Sequence, residues 1–315
     1  MRAVVTGATS FIGAAAIRQL LQAGHEVLAV VRPESSKLEN LYFHIPAGCE
    51  QQIQILELDM REIGEVKKRI SCPMDVWLHT CWGGAGSGNR TLRDVQQANV
   101  AGSLAAVNAA AEAGCQRFLF TGSQAEYGIC HEKITEATLC RPVSEYGKAK
   151  LDFSSQAEKL CEELAMEYLH ARIFSVYGPG DHPWSLVQSC LRTWSQGGEM
   201  LLGECTQWWN FLYIEDAAAA LIALLASGKS GYYNVAGRDT RRLREFVEEM
   251  YVLCGARGSF IYGKRSQNAE GAADLVPDIT KICAETGWEP KTPFAEGIYE
   301  ILHRLPESAS GKTSI

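Results

Sequence analysis

Tyr146-Gly147-Lys148-Ala149-Lys150 sets a phenol and an ammonium four positions apart, which on a helix is one face. An ammonium beside a phenol favours the phenolate, drawing a pKa that starts near ~10 toward the range where a proton is exchanged with a carbinol. Ser123 follows the apolar run Phe118–Phe120. Strand ends of parallel sheets surround a ligand crevice, so a hydroxyl there can hold the same substrate oxygen. His79 also invites a catalytic role, but a strand-end His usually satisfies backbone groups, and it is left out of the catalytic set. Cys81 has no sign of a partner base for covalent chemistry. The eleven cysteines form an odd, scattered set without a C-x-x-C pair or a Cys/His cluster at zinc spacing, so no metal site and reduced thiols in a cytoplasm are expected.

The elements that must position these groups alternate between two periods. Arg2–Thr6, Glu26–Val31, Gln51–Leu58, Asp75–Leu78, Gln116–Phe120 and Glu167–Phe174 have strand character, and Ile12–Ala23, Thr91–Ala113 and Val143–Ala165 have helical periodicity. Strands alternating with helices predict an α/β chain with a Rossmann-type, doubly wound parallel sheet. Tyr177-Gly178-Pro179-Gly180 breaks the pattern. A dinucleotide-binding domain is therefore expected over 1–177, with 210–235 returning to it, and a smaller substrate-binding lobe over 178–209 and 236–315. Beyond the break, helices are expected near Ser185–Gln196, Glu215–Ala226 and Arg242–Leu253 and a strand at Tyr232–Val235. The small, polar tail from Ser308 to Ile315 is expected to fray.

The 315 residues suit one large domain or two modest ones. With 46% hydrophobic and 21% charged residues, the composition is that of an ordinary folded protein. A formal charge of −7 gives no general attraction to nucleic acid or to an anionic membrane, and neither is an expected partner. Gly7, Ser10 and Gly13 interrupt the apolar N-terminus, against a secretory leader.

The segment from Gly7 through Thr9, Ser10, Phe11 and Ile12 to Gly13 lies between the first strand and the first helix. There, glycines admit a pyrophosphate and the helix N-terminus offers N–H donors. Ser10 stands where an interior glycine is expected. After the second strand, an acidic residue would bind the ribose 2′-OH of NAD and an arginine the 2′-phosphate of NADP. Arg32 is found there, with Lys37 within reach, so NADP(H) is preferred over NAD(H). Asp59, with Met60 beside it, ends the third strand and could accept from the adenine amino group or cap the next helix. His79, Thr80 and Cys81 follow the fourth strand and should flank the nicotinamide. The glycine-rich run from Gly83 to Gly88 forms a loop beside them.

The glycine loop, Ser123 and Tyr146/Lys150, in this order, resemble the extended short-chain dehydrogenase/reductases, the epimerase/dehydratase family acting on nucleotide sugars. Asn99-Val100-Ala101-Gly102, Thr121 through Gly128, Arg172 to Gly180, Phe211 to Asp216 and Tyr233-Asn234-Val235 match as well. The resemblance implies that Tyr146 exchanges the proton, Lys150 tunes it and holds the nicotinamide ribose, and Ser123 orients the reacting oxygen. It further implies a nucleotide-sugar substrate and a homodimer through the helices of Thr91–Ala113 and Val143–Ala165, with Asn99 and Asp216 as scaffold.

Departures from the pattern narrow the chemistry. Where 4,6-dehydratases of the family carry an Asp-Glu pair, this chain has Gln124 and Ala125, and alanine cannot move a proton; dehydration is not expected. Glu126, one residue on, should point elsewhere, as a solvent or core-edge carboxylate. The arginine usual for the diphosphate is replaced within Trp208-Trp209-Asn210, and the usual Asn by Ser175. Trp208 or Trp209 could stack on a base or sugar or pack in the core. Arg241, Arg242 or Arg244 could supply the missing cation, Arg242 being preferred. Trp82, Gln124, Ser175, Trp208, Trp209 and Arg242 are thus the expected substrate contacts. The expected activity is net reduction of a 4-keto sugar by NADPH. C4 epimerisation with a recycled cofactor is the alternative, and a small-carbonyl reductase or a non-catalytic dinucleotide sensor stands further off.

Overall fold

Ala3-Val4-Val5 and Val27 through Val31 carry apolar side chains at consecutive positions, and such strands must be covered on both faces. Both are buried in a seven-stranded, all-parallel sheet. The computed structural model describes residues 1–86, 88–265 and 273–304; the tail from Ser308 to Ile315 lies outside the described residues. The strands are β1 (Arg2–Thr6), β2 (Glu26–Val31), β3 (Ile53–Glu57), β4 (Val76–His79), β5 (Arg117–Ser123) and β6 (Glu167–Ile173). Then β7 (Ser175–Tyr177), β8 (Glu199–Leu201) and β9 (Trp208–Tyr213) leave the sheet, β10 (Gly231–Val235) returns, and β11 (Thr240–Arg242) and β12 (Ser259–Ile261) follow. The large sheet has the order β10-β6-β5-β4-β1-β2-β3, the doubly wound Rossmann-type architecture expected.

The helices are α1 (Phe11–Gln22), α2 (Leu38–His44), α3 (Val66–Arg69), α4 (Arg93–Glu112), α5 (Glu145–Glu163), α6 (Leu186–Ser195), α7 (Ile214–Ser227), α8 (Leu243–Leu253), α9 (Thr280–Thr286) and α10 (Phe294–Leu302). One apolar layer joins the sheet to α1 and α7 through Ile17, Leu20, Leu221 and Leu224. The other joins it to α4 and α5 through Val107, Ala110, Phe153 and Ala157. A third cluster lies in the lobe, where Trp194, Phe246, Phe294 and Ile298 pack together.

The route between the large sheet and the lobe passes through a second sheet. Both β7 and β9 belong to a separate three-stranded sheet, β11-β9-β7, and the chain comes back to the large sheet through α7, packed on its face, and β10.

Candidate active site

Strands β2 and β4 lie on opposite sides of β1, and at such a switch point the loops leaving the two central strands diverge and open a crevice. The register sets Thr6 beside His79, which brings the glycine loop against Thr80 and Cys81. Thr80 Oγ1 donates to the Thr6 carbonyl at 2.8 Å and lies 3.3 Å from Ser10 Oγ. A Cβ on Gly13 would stand 2.3 Å from the Gly7 carbonyl oxygen, and one on Gly7 2.6 Å from Thr80 Oγ1, so neither position admits a side chain.

Ser10 sits in extended backbone that needs no glycine, and its hydroxyl caps α1 by accepting from the Gly13 N–H at 3.0 Å. The first-turn amides of Phe11 and Ile12, which have no intrahelical acceptor, are left to meet an anion. Asn40 steadies the loop by donating to the Thr9 carbonyl at 3.1 Å, a contact the sequence reading missed.

At the far end of the crevice Arg32 and Lys37 are exposed. Of the two roles open to Asp59, the structure displays the cap: its carboxylate accepts from the Arg61 amide at 3.0 Å and pairs with the Arg61 side chain. The Arg61 hydrogen bonds hold it at about 2, and Arg32 adds to the effect. Met60 is partly buried and packs against the core layer beneath α4. His79 requires a correction. Its ring is fully buried, with Nδ1 2.7 Å from Thr6 Oγ1 and Nε2 2.9 Å from Ser103 Oγ, and it stacks against Phe118 and Phe120. Strand alternation turns it into the helix layer, so its side chain ties β1 to α4 and does not flank a cofactor. Burial lowers its pKa to about 3. Burial likewise raises the Cys81 thiol, which leaves it a poor nucleophile.

On the other side of the crevice, Ser144 caps α5 by accepting from the Gly147 N–H at 3.1 Å. The helix then presents Tyr146, Lys150 and Phe153 on its buried face. Lys150 Nζ donates to the Thr121 carbonyl at 2.6 Å and sits 4.4 Å over the Trp82 ring, 4.3 Å over Phe120 and 5.5 Å over Tyr146. Burial lowers this ammonium, Glu126 opposes the shift and Arg90 adds to it, leaving Lys150 at about 7. Trp82 meets the Tyr146 ring edge-on at 6.3 Å and is anchored by its indole N–H on Gln96 Oε1 at 2.8 Å. Ser123 Oγ accepts from the Ala125 amide at 3.2 Å, which leaves its own O–H to donate.

A cavity of about 330 Å³ opens in front of Ser123, lined by Gln124, Ser175, Trp209 and Phe211 among others. Trp208 and Arg242, expected there, are corrected. Alternation along β9 turns Trp208 to the opposite face from Trp209, and Arg242, its cross-strand neighbour, lies 4.5 Å over the indole and donates to the Thr206 carbonyl. Arg241 is paired with Asp239 and Glu249, and Arg244 with Glu204. The guanidinium in the cavity wall belongs instead to Arg90, stacked 4.2 Å over the Tyr146 ring. Asp181 lines the same cavity from the lobe, pushed up to about 6 by burial. Neither was signalled by the sequence, since both are single charges in irregular segments.

Glu126 is neither solvent-facing nor at the core edge. It is fully buried, accepting from the Ser123 amide at 2.7 Å and from Arg172 Nε at 2.9 Å, with His170 Nε2 at 3.0 Å. Burial alone would raise this carboxyl, but His170 and Arg172 hold it at about 2. Asn99 brackets the Gly83 backbone, accepting from its N–H and donating to its carbonyl, each at 2.8 Å. Asp216 accepts from the Thr292 amide and so ties down the segment before α10. Among the described residues no group of three or more His, Cys, Asp or Glu side chains is placed to hold a metal ion, and no helix is long and apolar enough to cross a membrane.

The loop donors, the two closed glycine positions and the cations at either end of the crevice fit a dinucleotide. With Ser123, Tyr146 and Lys150 at the same sheet edge, fold and site define an extended short-chain dehydrogenase/reductase of the nucleotide-sugar epimerase/dehydratase type. The chain belongs to the NAD dependent epimerase/dehydratase family, whose model matches residues 3–236. It is 24% identical over 315 residues to UDP-glucuronic acid decarboxylase 1 of Arabidopsis thaliana, covering 96% of this chain and 69% of the relative. Its fold matches the UDP-glucose 4-epimerase of Thermotoga maritima with UDP-glucose (TM-score 0.83, 21% identity, 96% of this chain and 98% of the other). It also matches the UDP-glucose 4-epimerase of Thermus thermophilus in complex with NAD (TM-score 0.84, 21% identity, 96% and 98%).

Proposed function

We propose that this protein catalyses reversible oxidation and reduction at a ring carbon of a nucleotide-linked sugar, with C4 epimerisation as its net reaction. The observation that carries this reading is the placing of Tyr146 and Lys150 beside the Ser123 end of β5, at the mouth of the dinucleotide crevice. When bound, the nicotinamide would take a hydride from the sugar carbon and give it back. Phe11 and Ile12 amides would hold the pyrophosphate, and Lys150 the adjoining ribose. Ser123 donates to the reacting oxygen and fixes its position. Tyr146, with its phenolate favoured by Lys150, accepts the carbinol proton and returns it to the keto oxygen. Gln124 and Ala125 offer no acid and base for eliminating water, so dehydration lies outside the proposal.

A second reading, net reduction of a 4-keto sugar by NADPH, is favoured by Arg32, which is exposed just after β2 where a 2′-phosphate would lie. Mass spectrometry of the purified protein separates the two, followed by NADH and NADPH titrations and incubation with a panel of UDP- and dTDP-hexoses. Retained oxidised cofactor and interconversion of C4 epimers support the first reading; an empty site that prefers NADPH and consumes it with a 4-keto sugar supports the second. Turnover of simple ketones alone would remove both. A homodimer through α4 and α5, where Leu92, Val95 and Val143 are exposed around the helix starts, is proposed as the assembly and is read by sedimentation. A reducing cytoplasm suits its eleven free cysteines.

A further inference from the structure

Behind the carboxyl end of β5 lies a group of charged side chains that the proposed chemistry does not touch. Glu126, His170 and Arg172 are buried together, and Tyr127, Asn234 and Tyr168 complete their hydrogen bonds. There is no slack in the packing: a Cβ on Gly122 would stand 2.1 Å from His170 Nε2 and 2.6 Å from Glu126 Oε1. Burying such charges often costs stability relative to a well-packed apolar core. Two contacts connect this group to the site. Glu126 Oε1 accepts from the Ser123 main-chain N–H, and two residues earlier on the same strand the Thr121 carbonyl accepts from Lys150 Nζ. The apolar Phe120 ring packs against both sides, 5.3 Å from His170 and 4.3 Å from Lys150 Nζ, and charges act over longer distances where water is excluded.

We propose that Glu126 is a positioning residue of this site: it fixes the Ser123 main chain and, as a buried anion behind the Phe120 ring, keeps Lys150 in its ammonium form. The proposal rests on the catalytic reading of Ser123, Tyr146 and Lys150. Lys150 is faced by Glu126 from the end of β5, by His79 and Cys81 from the end of β4, by Arg90 from the loop before α4, by Tyr146 on its own helix and by His170 from β6. Arg90 disfavours the cation, while Glu126 and, more weakly, Cys81 favour it. Without the Glu126 charge, Lys150 would lose its proton at a lower pH and cease to support the Tyr146 phenolate.

The test follows the Lys150 side-chain nitrogen by NMR across pH in the full chain labelled with 15N-lysine, the resonance being assigned by its loss in K150R. Glu126→Gln is expected to move the midpoint down by about one pH unit, whereas Glu126→Asp, which keeps the charge on a shorter side chain, stays near wild type. Should E126Q not fold, the double variant E126Q/R172M removes both halves of the buried pair and is expected to show a fall of the same sign but smaller size, because loss of the Arg172 cation partly offsets loss of the anion. An unmoved midpoint in the folded neutral variant overturns the proposal, and so does an equal fall in E126D, which would assign the effect to packing. The measurement needs no substrate, so a failure of the epimerase reading would appear separately, as wild-type protein that turns over none of the sugars.

Discussion

The two walls of the crevice are built by different means. The β1–β4 wall uses backbone and neutral hydroxyls: Ser10, Thr80 and the amides of α1 shape the loop around two positions closed to side chains. The β5–β6 wall uses buried charge: Lys150 sits in an aromatic pocket with Glu126, Arg172 and His170 behind it. A wall that binds a ligand of fixed shape needs geometry, which hydrogen bonds between short side chains hold at little electrostatic cost. A wall that moves a proton needs a controlled field, which a water-free environment supplies.

Changes to the charged wall should therefore cost more. Tyr146→Phe removes the proposed proton carrier and is expected to lower turnover about 100- to 10,000-fold while cofactor binding, followed by titration, stays as in wild type; a loss confined to binding would contradict the division. Arg172→Met leaves Glu126 with His170 as its remaining side-chain partner and should lower stability by about 3–5 kcal/mol in urea unfolding. On the neutral wall, Gly13→Ala forces a methyl group onto the Gly7 carbonyl, an overpacking of about 1–3 kcal/mol, and should weaken dinucleotide binding about tenfold or more with Tyr146 chemistry intact once the site is saturated.

Acid sharpens the contrast between the two sides of β4. His79 is held neutral with its pKa lowered to about 3, so the unfolded chain binds a proton that the folded chain refuses. Its contribution to stability is complete above the unfolded value near ~6.5 and declines as pH falls toward 3, by up to about 1.4 kcal/mol per pH unit. The thermal midpoint of wild type should fall between pH 6.5 and 5 by more than that of His79→Gln. The smallest effect is expected for Thr80→Val, which deletes the hydroxyl bridging Thr6 and Ser10 at about 0.5–1.5 kcal/mol and is read by the same melts.

How far each wall was legible in the sequence follows from the same difference. The loop from Gly7 to Gly13 and the pair Tyr146/Lys150 rest on spacings of a few residues, which helix and turn geometry convert directly into proximity. Trp208 and Arg242 were misplaced because Trp208 and Trp209 are indistinguishable until the register of β9 against β11 chooses a face. Glu126 was misread as peripheral because its partners, His170 and Arg172, lie 44 and 46 positions away. Arg90 and Asp181 fall in irregular segments that carry no periodic signal.

By itself, the order of residues determined the alternation of strands and helices, the glycine turn before α1 and the phenol–ammonium pair, since each depends on contacts within one element or one turn. Only the tertiary structure decided which face of β9 looks into the cavity, that His79 is a core residue, and that a buried carboxylate stands behind Lys150. Those outcomes depend on which strand ends the parallel sheet brings side by side, and on how much water it leaves between them.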